Sequence, residues 1–255
     1  MRKVKQSSFN SYVDSFCDMR KTFIVESKRN IESLHVNNQM ILMTKNKNNR
    51  FSNDSEDINK IFNIFGQVQK NVNRYLKQVQ FDVKTIEQRY KSSKTNKAKW
   101  SEIERGEVFY YLDVKHCFWR IAFLKGYISK NLYVSVLNQE DLKVQRNMSL
   151  ALIVAPKTRR YYDYGKNILE VEEERSMYKT IYDNIRFSAY NIMGDCMTES
   201  LDDFIAYRTD GIMIKKDSIE SVSKIINDAG LNFTIEECAK IDSKNYLKGN
   251  KIKKL

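Results

Sequence analysis

The sharpest pattern of apolar and polar positions is the run "VFYYLDVKHCFWRIAFLKGYI" at 108–128. Its opening "VFYYLDV" is a continuous stretch of β-formers and predicts a buried strand. "FWRIAFLKGYI" then takes up helical spacing, with Gly126 near its end. "EDLKVQRNMSLALIVA" predicts a second helix, basic at its start and apolar at its end. "KTRRYYDYGKN" reads as a hairpin or loop turning at Gly165. "EEERSMYKTIYDNIRFSAYNIMGDCM" predicts a long amphipathic helix, because Met177, Ile181, Ile185, Ala189, Ile192 and Cys196 recur every three or four positions. Its acids cluster in the expected first turn, where the helix dipole favours them. "DDFIAYRTDGIMIKK" reads as strand, tight turn, strand, bending at Asp210-Gly211. "DSIESVSKIINDAG" predicts a helix capped by Asp217 or Ser218 and stopped at Gly230. A last strand, "LNFTIEECAKID", and a basic tail, "SKNYLKGNKIKKL", complete the chain.

This order predicts an α+β domain: a small, mostly antiparallel sheet with helices packed on one face. Residues 1–100 are polar and weakly patterned, and are expected to form a mainly helical N-terminal region of unknown role. "SYVDSFCDMRKTF" and "INKIFNIFGQVQKNVNRYLKQVQ" have helical spacing there, and "NQMILMTK" reads as a strand. "KNKNNRFSNDSED" and "RYKSSKTNKAKWSE" read as exposed loops or linkers. The expected division is 1–100 and 101–255.

Two acids, Asp113 and Asp210, fall inside hydrophobic strands, where a solvated charge does not belong. Burying a lone carboxylate costs several kcal/mol. A pair flanking a divalent metal removes that objection, since the cation compensates both charges. The plainer readings are an N-cap for Asp113 and an ordinary Asp-Gly hairpin turn for Asp210.

Charge changes the picture next. The chain has 44 Lys+Arg against 32 Asp+Glu, a formal net charge of +12. That balance suits a polyanionic partner, nucleic acid first. It is equally the Lys/Asn-rich composition of an AT-rich genome, such as that of a phage or other mobile element. Arg159 and Arg160 beside Tyr161, Tyr162 and Tyr164 mix basic and aromatic groups as nucleic-acid surfaces do, and as amphipathic hairpins also do. The four cysteines are scattered and there are two histidines, so zinc ligation is not expected and His116 reads as structural. No apolar run reaches the length of a membrane helix, and the N-terminus lacks the apolar core of a signal peptide. The expectation is a cytoplasmic protein with no membrane partner.

Four elements, in order over roughly 107–249, resemble the palm of family B DNA polymerases. "DVKHCFW" resembles the motif in which an Asp ends a strand, a backbone carbonyl follows and an aromatic sits five positions on; here these are Asp113, Val114 and Phe118. The resemblance implies that Asp113 and the Val114 carbonyl hold metal and that Phe118 lies under the sugar of the incoming nucleotide. The family has Tyr-Pro where this chain has Phe118-Trp119. "KVQRNMSLA" resembles the fingers helix motif through Lys143 and Asn147, four residues apart and so on one helical face. The usual Tyr-Gly after them is replaced by apolar residues near Leu150 and Ala151. "YRTDGIM" resembles the Asp-Thr-Asp hairpin: Thr209 and Asp210 match, and Arg208 stands at the first Asp position. "SKNYLKG" resembles the Lys-x-Tyr element that holds the primer end, through Lys244 and Tyr246, with Lys248 and the other tail lysines on the backbone phosphates.

The resemblance implies a template-directed nucleotidyltransferase. It would add dNTPs to a primer 3′ end on DNA, with Asp113 and Asp210 as catalytic carboxylates and two Mg²⁺ (or Mn²⁺) as cofactors. The fingers are reduced to 126–157, with no counterpart of the first fingers helix. No exonuclease pattern is evident upstream of the palm-like stretch, and a thumb is not expected within these residues. Primer extension with partner replication proteins or a protein primer is therefore expected, rather than processive proofreading. The alternatives are a catalytically weakened palm acting as a nucleic-acid-binding subunit, and an unrelated α+β domain.

Overall fold

The computed structural model describes residues 2–4, 6–28, 31–37, 39–45, 55–137, 139, 142–155, 157–173 and 176–255. The elements run, in chain order, β1 (Arg2–Lys3), α1 (Gln6–Asp18), β2 (Phe23–Lys28), β3 (Ile31–Val36), β4 (Gln39–Lys45), α2 (Ser55–Gln78), β5 (Ser93–Thr95) and α3 (Lys97–Glu102). Then come β6 (Val108–Val114), α4 (Cys117–Leu124), α5 (Lys130–Leu137), α6 (Lys143–Leu152), β7 (Lys157–Asp163), β8 (Lys166–Glu173) and α7 (Ser176–Glu199). The chain closes with β9 (Phe204–Arg208), β10 (Gly211–Ile214), α8 (Ile219–Asp228), β11 (Phe233–Lys240), β12 (Asn245–Lys248) and β13 (Lys251–Lys254). The class is α+β with antiparallel sheets, as the pattern predicts.

Contacts divide the chain differently from the expected boundary at residue 100. One unit comprises Met1–Gln67 and Met148–Lys179; the other comprises Val68–Asn147 and Thr180–Leu255.

The first unit holds a six-stranded sheet in the order β1-β4-β3-β2-β7-β8. All its pairings are antiparallel except β1 with β4. Phe9 of α1 packs with Phe23, Val25 and Leu34 from β2 and β3. The N-terminal region therefore contributes strands to a sheet as well as helices, a correction to its mainly helical expectation. The β7–β8 hairpin turns at Tyr164-Gly165, both at positive φ (47° and 73°), as a type I′ turn requires. A Cβ on Gly165 would sit 2.1 Å from the Cys17 carbonyl oxygen, so only glycine fits. Glu172 and Glu173 belong to β8 or its end, not to the first turn of α7, which carries no acid.

The second unit holds a seven-stranded antiparallel sheet in the order β13-β12-β11-β6-β10-β9-β5. The strand β6 sits at its centre with Phe109, Leu112 and Val114 buried, the burial its apolar run implies. Phe109 packs with Trp100 of α3, Met213, Cys238 and Tyr246. "RYKSSKTNKAKWSE" is irregular at 89–92 but is not a loop or linker as a whole: it supplies edge strand β5 and α3, whose Trp100 enters the core. The basic tail is likewise folded. It forms the hairpin β12–β13, with Gly249 at φ 54° at the first turn position.

A segment with no sequence signal lies along α7. Asn184 Oδ1 accepts from the Ile86 N–H (2.7 Å), and its Nδ2 donates to the Lys84 carbonyl (2.8 Å). Asn191 repeats the pattern with the Arg89 N–H and the Glu87 carbonyl, both at 2.9 Å. Two helical turns and three extended residues each span about 10 Å, so the two amides meet the strap in register. Gly194 completes the fit, because a Cβ there would enter the Tyr90 ring. Among the described residues no helix is long and apolar enough to cross a membrane.

Candidate active site

Alternation along β6 puts Phe109, Tyr111 and Asp113 on one face. Phe109 is sealed in the core and Tyr111 packs against it. Asp113, one pleat further on, keeps a quarter of its side chain exposed. The strand β10 runs antiparallel beside β6, with Gly211 opposite Asp113. Thr209 and Asp210 form the two-residue turn between β9 and β10, since Gly211 pairs with Arg208. The turn is therefore one residue earlier than Asp210-Gly211. Thr209 takes its strained position (φ 23°) with its N–H donated to the Ser92 carbonyl at 2.7 Å. The Asp210 carbonyl accepts from the Val114 N–H at 2.8 Å. Backbone pairing thus fixes Asp210 beside the end of β6, where Asp113 sits.

Both carboxylates act on the same neighbours. The Tyr111 hydroxyl is held protonated by burial first, then by Asp113 and Asp210. The Cys117 thiol is held protonated by burial first, then by Asp210 and Asp113. The end of this sheet is therefore a place of negative potential. Lys115 Nζ lies 3.6 Å from Asp113 Oδ2, and Arg208 also acts on Tyr111, against the two acids. Gly211 gives Tyr111 its place, because a Cβ would meet the hydroxyl at 2.2 Å. The Lys248 ammonium lies 3.7 Å above the Tyr111 ring centre and 3.2 Å from Glu236 Oε1. Lys248 thus supports Tyr111 from a half-buried position.

Among the described residues no group of three or more His, Cys, Asp or Glu is placed to hold a metal ion. Two carboxylates are a smaller donor set, and they suit Mg²⁺. That ion prefers hard oxygen ligands, keeps several waters and takes the rest of its shell from substrate phosphates. Any such ion competes with Lys115 for Asp113.

Asp113 does not cap α4. The cap position is His116, in the left-handed conformation at φ 53°, ψ 34°, without a side-chain cap bond. Phe118 follows, half-buried, in the first turn of α4. Trp119 is buried and donates from Nε1 to the Tyr133 carbonyl at 3.4 Å. Lys143 begins α6, with its side chain outside the described atoms; Asn147, one turn on, is exposed. Between them Arg146 is almost wholly buried, at 2% exposure. It donates to the Val136 carbonyl (3.2 Å) and to His116 Nδ1 (3.0 Å). Arg146 and His116 therefore join α6 to the start of α4, a link the sequence did not betray in a stretch that reads as basic surface. A donating guanidinium requires an acceptor, so His116 carries its proton on Nε2.

The other expected contacts are arranged differently. Lys244 is exposed. Tyr246 is a core residue, 5.7 Å from the Phe109 ring, rather than a surface group. Arg159 and Arg160 belong to the first unit, where they pair with Glu26 (3.2 Å) and Glu32 (2.9 Å). Set beside protein-family models, curated proteins and solved structures, the chain finds no match in any of the three.

Proposed function

We propose that the chain is a template-directed nucleotidyltransferase built on a minimal palm resembling that of family B DNA polymerases. The observation that carries this reading is the β6–β10 pairing, with Gly211 opposite Asp113 and Asp210 hydrogen-bonded to Val114. Acids remote in sequence meet at one end of one sheet. Held by Asp113, Asp210 and the Val114 carbonyl, Mg²⁺ would supply charge neutralisation for the attacking 3′-oxygen and the leaving pyrophosphate. The remaining work falls to the chain. Lys115 releases Asp113 when substrate arrives. Phe118 lies under the sugar and excludes a 2′-hydroxyl. Asn147, exposed on α6, contacts the nucleotide, and Lys143, four residues before it in sequence, is the candidate for the triphosphate charge; the Arg146–His116 bond ties α6 to the loop after Asp113. Lys244 and the exposed lysines Lys251, Lys253 and Lys254 hold backbone phosphates, whereas Lys248, expected from the sequence to share that task, is committed to Glu236 and Tyr111.

The test is dNTP incorporation on a primed DNA template with Mg²⁺ or Mn²⁺. The wild type extends the primer, and Asp113→Asn and Asp210→Asn each lower the rate by about 10³-fold or more. Extension that survives both substitutions overturns the reading. Phe118→Ala is expected to admit rNTPs; unchanged sugar discrimination removes that role.

A second reading, a weakened palm that binds nucleic acid as a subunit of a replication complex, is favoured by two observations. Lys115 already neutralises Asp113, and Arg208 occupies the first acid position of the hairpin. It predicts no incorporation by the wild type, together with DNA affinity that falls steeply with salt.

A further inference from the structure

A groove of about 340 Å³ opens between the strap at 84–91, α4, α7 and the end of α8. This is the scale of a small-molecule site. Its walls are apolar: Ile86, Ile121, Leu124 and Ile192. Its polar groups are nearly all committed. The Asn191 amide is spent on Arg89 N–H and the Glu87 carbonyl. Ser188 Oγ donates to the Asn184 carbonyl at 2.7 Å. Arg89 pairs with Asp195 at 2.7 Å. One group is left over. Lys125, at the C-terminal end of α4, lines the groove, yet among the described residues no carboxylate or carbonyl meets its ammonium. Burial alone lowers its pKa, with no opposing charge to raise it.

An ammonium part-removed from water without a counter-charge is a cost the fold carries. An anion seated beside it would remove that cost, while an apolar body would fill the walls. Among the described residues lining the groove, Lys125 is the cation left without a counter-charge, which matches a single negative charge. We propose that this groove binds a small amphipathic monoanion, its carboxylate against Lys125 and its apolar tail against Ile86, Leu124 and Ile192. The proposal stands apart from the polymerase reading, since no groove residue belongs to the Asp113–Asp210 site.

The test is isothermal titration calorimetry with octanoate, and with octanol as the neutral comparator, on the full chain. One octanoate per chain is expected, bound at least about tenfold more tightly than octanol. Lys125→Met should cost about tenfold in octanoate affinity and leave octanol unchanged, while Lys125→Arg keeps octanoate binding. Ser188→Leu, which fills the groove, should remove both ligands without shifting the unfolding temperature by more than a few degrees. The proposal is overturned if the wild type takes up no octanoate. It is equally overturned if Lys125→Met binds octanoate as the wild type does, or if octanoate and octanol bind alike.

Discussion

Tyr111 shows how one residue is set by several others. Its ring lies over Gly211 and under Lys248, and its hydroxyl is held protonated by burial first and then by the charges of Asp113 and Asp210. Gly211→Ala would drive a methyl into the hydroxyl, so we expect a loss of about 1–3 kcal/mol of stability. Tyr111→Ala in the same chain should recover much of it; a purely additive double mutant, read by urea unfolding, would show that the two do not touch. Lys115 acts on the other side of the site. Lys115→Gln removes the cation 3.6 Å from Asp113, and divalent-cation affinity should rise several-fold. Asp113 and Asp210 were legible as a pair because each is an acid set among apolar strand residues, although Asp210 lies in the turn between β9 and β10 rather than inside a strand. Lys115, Tyr111 and Arg146 were not, because lysine, tyrosine and arginine at such positions are ordinary surface or core residues until their neighbours are known.

At the scale of elements, local pattern carried far. The strand β6, the helices α4, α7 and α8 and the β9–β10 hairpin follow from apolar spacing and turn residues alone. What failed was long-range. The strap at 84–91 has no periodicity, since its hydrogen bonds run to side chains of α7 rather than to a strand. Asn184 and Asn191 looked polar on an amphipathic helix, yet Asn184 is fully buried and bonds the strap and Tyr127 together. Asn184→Ala leaves the Ile86 N–H and the Lys84 carbonyl without partners. A loss of about 2–4 kcal/mol is expected, with faster hydrogen exchange at Ile86 but not at Phe109. Protection unchanged at Ile86 would mean the strap is held by other contacts. The hairpin β12–β13 was missed for a different reason: its lysines read as a solvated tail, whereas edge strands commonly carry lysine to block further pairing.

For the whole molecule, the α+β class was legible, but the division was not, because β7 and β8 join strands from the other end of the sequence and pattern says nothing of such pairing. Burial of thiols sets a global pH response. Burial pushes Cys196 up to about 12 and Cys238 up to about 11, from 9.0. Folded pKa values above the unfolded one mean the folded state holds these protons more tightly. Their stabilisation is therefore complete below pH 9 and lost as pH rises toward 11 and 12. Unfolding temperatures should fall over that window, and fall less in a Cys196→Ala, Cys238→Ala chain; equal falls would assign the loss to other groups. The basic charge of +12 belongs to the same scale and predicts salt-sensitive association with a polyanion. The central claim is narrower: Asp113 and Asp210 make one divalent-cation site. Its most direct measurement is Mn²⁺ binding by electron paramagnetic resonance, on the wild type and on Asp113→Asn and Asp210→Asn chains. The account predicts that each single substitution weakens the same site by about tenfold or more. Wild-type Mn²⁺ affinity in both variants would contradict it.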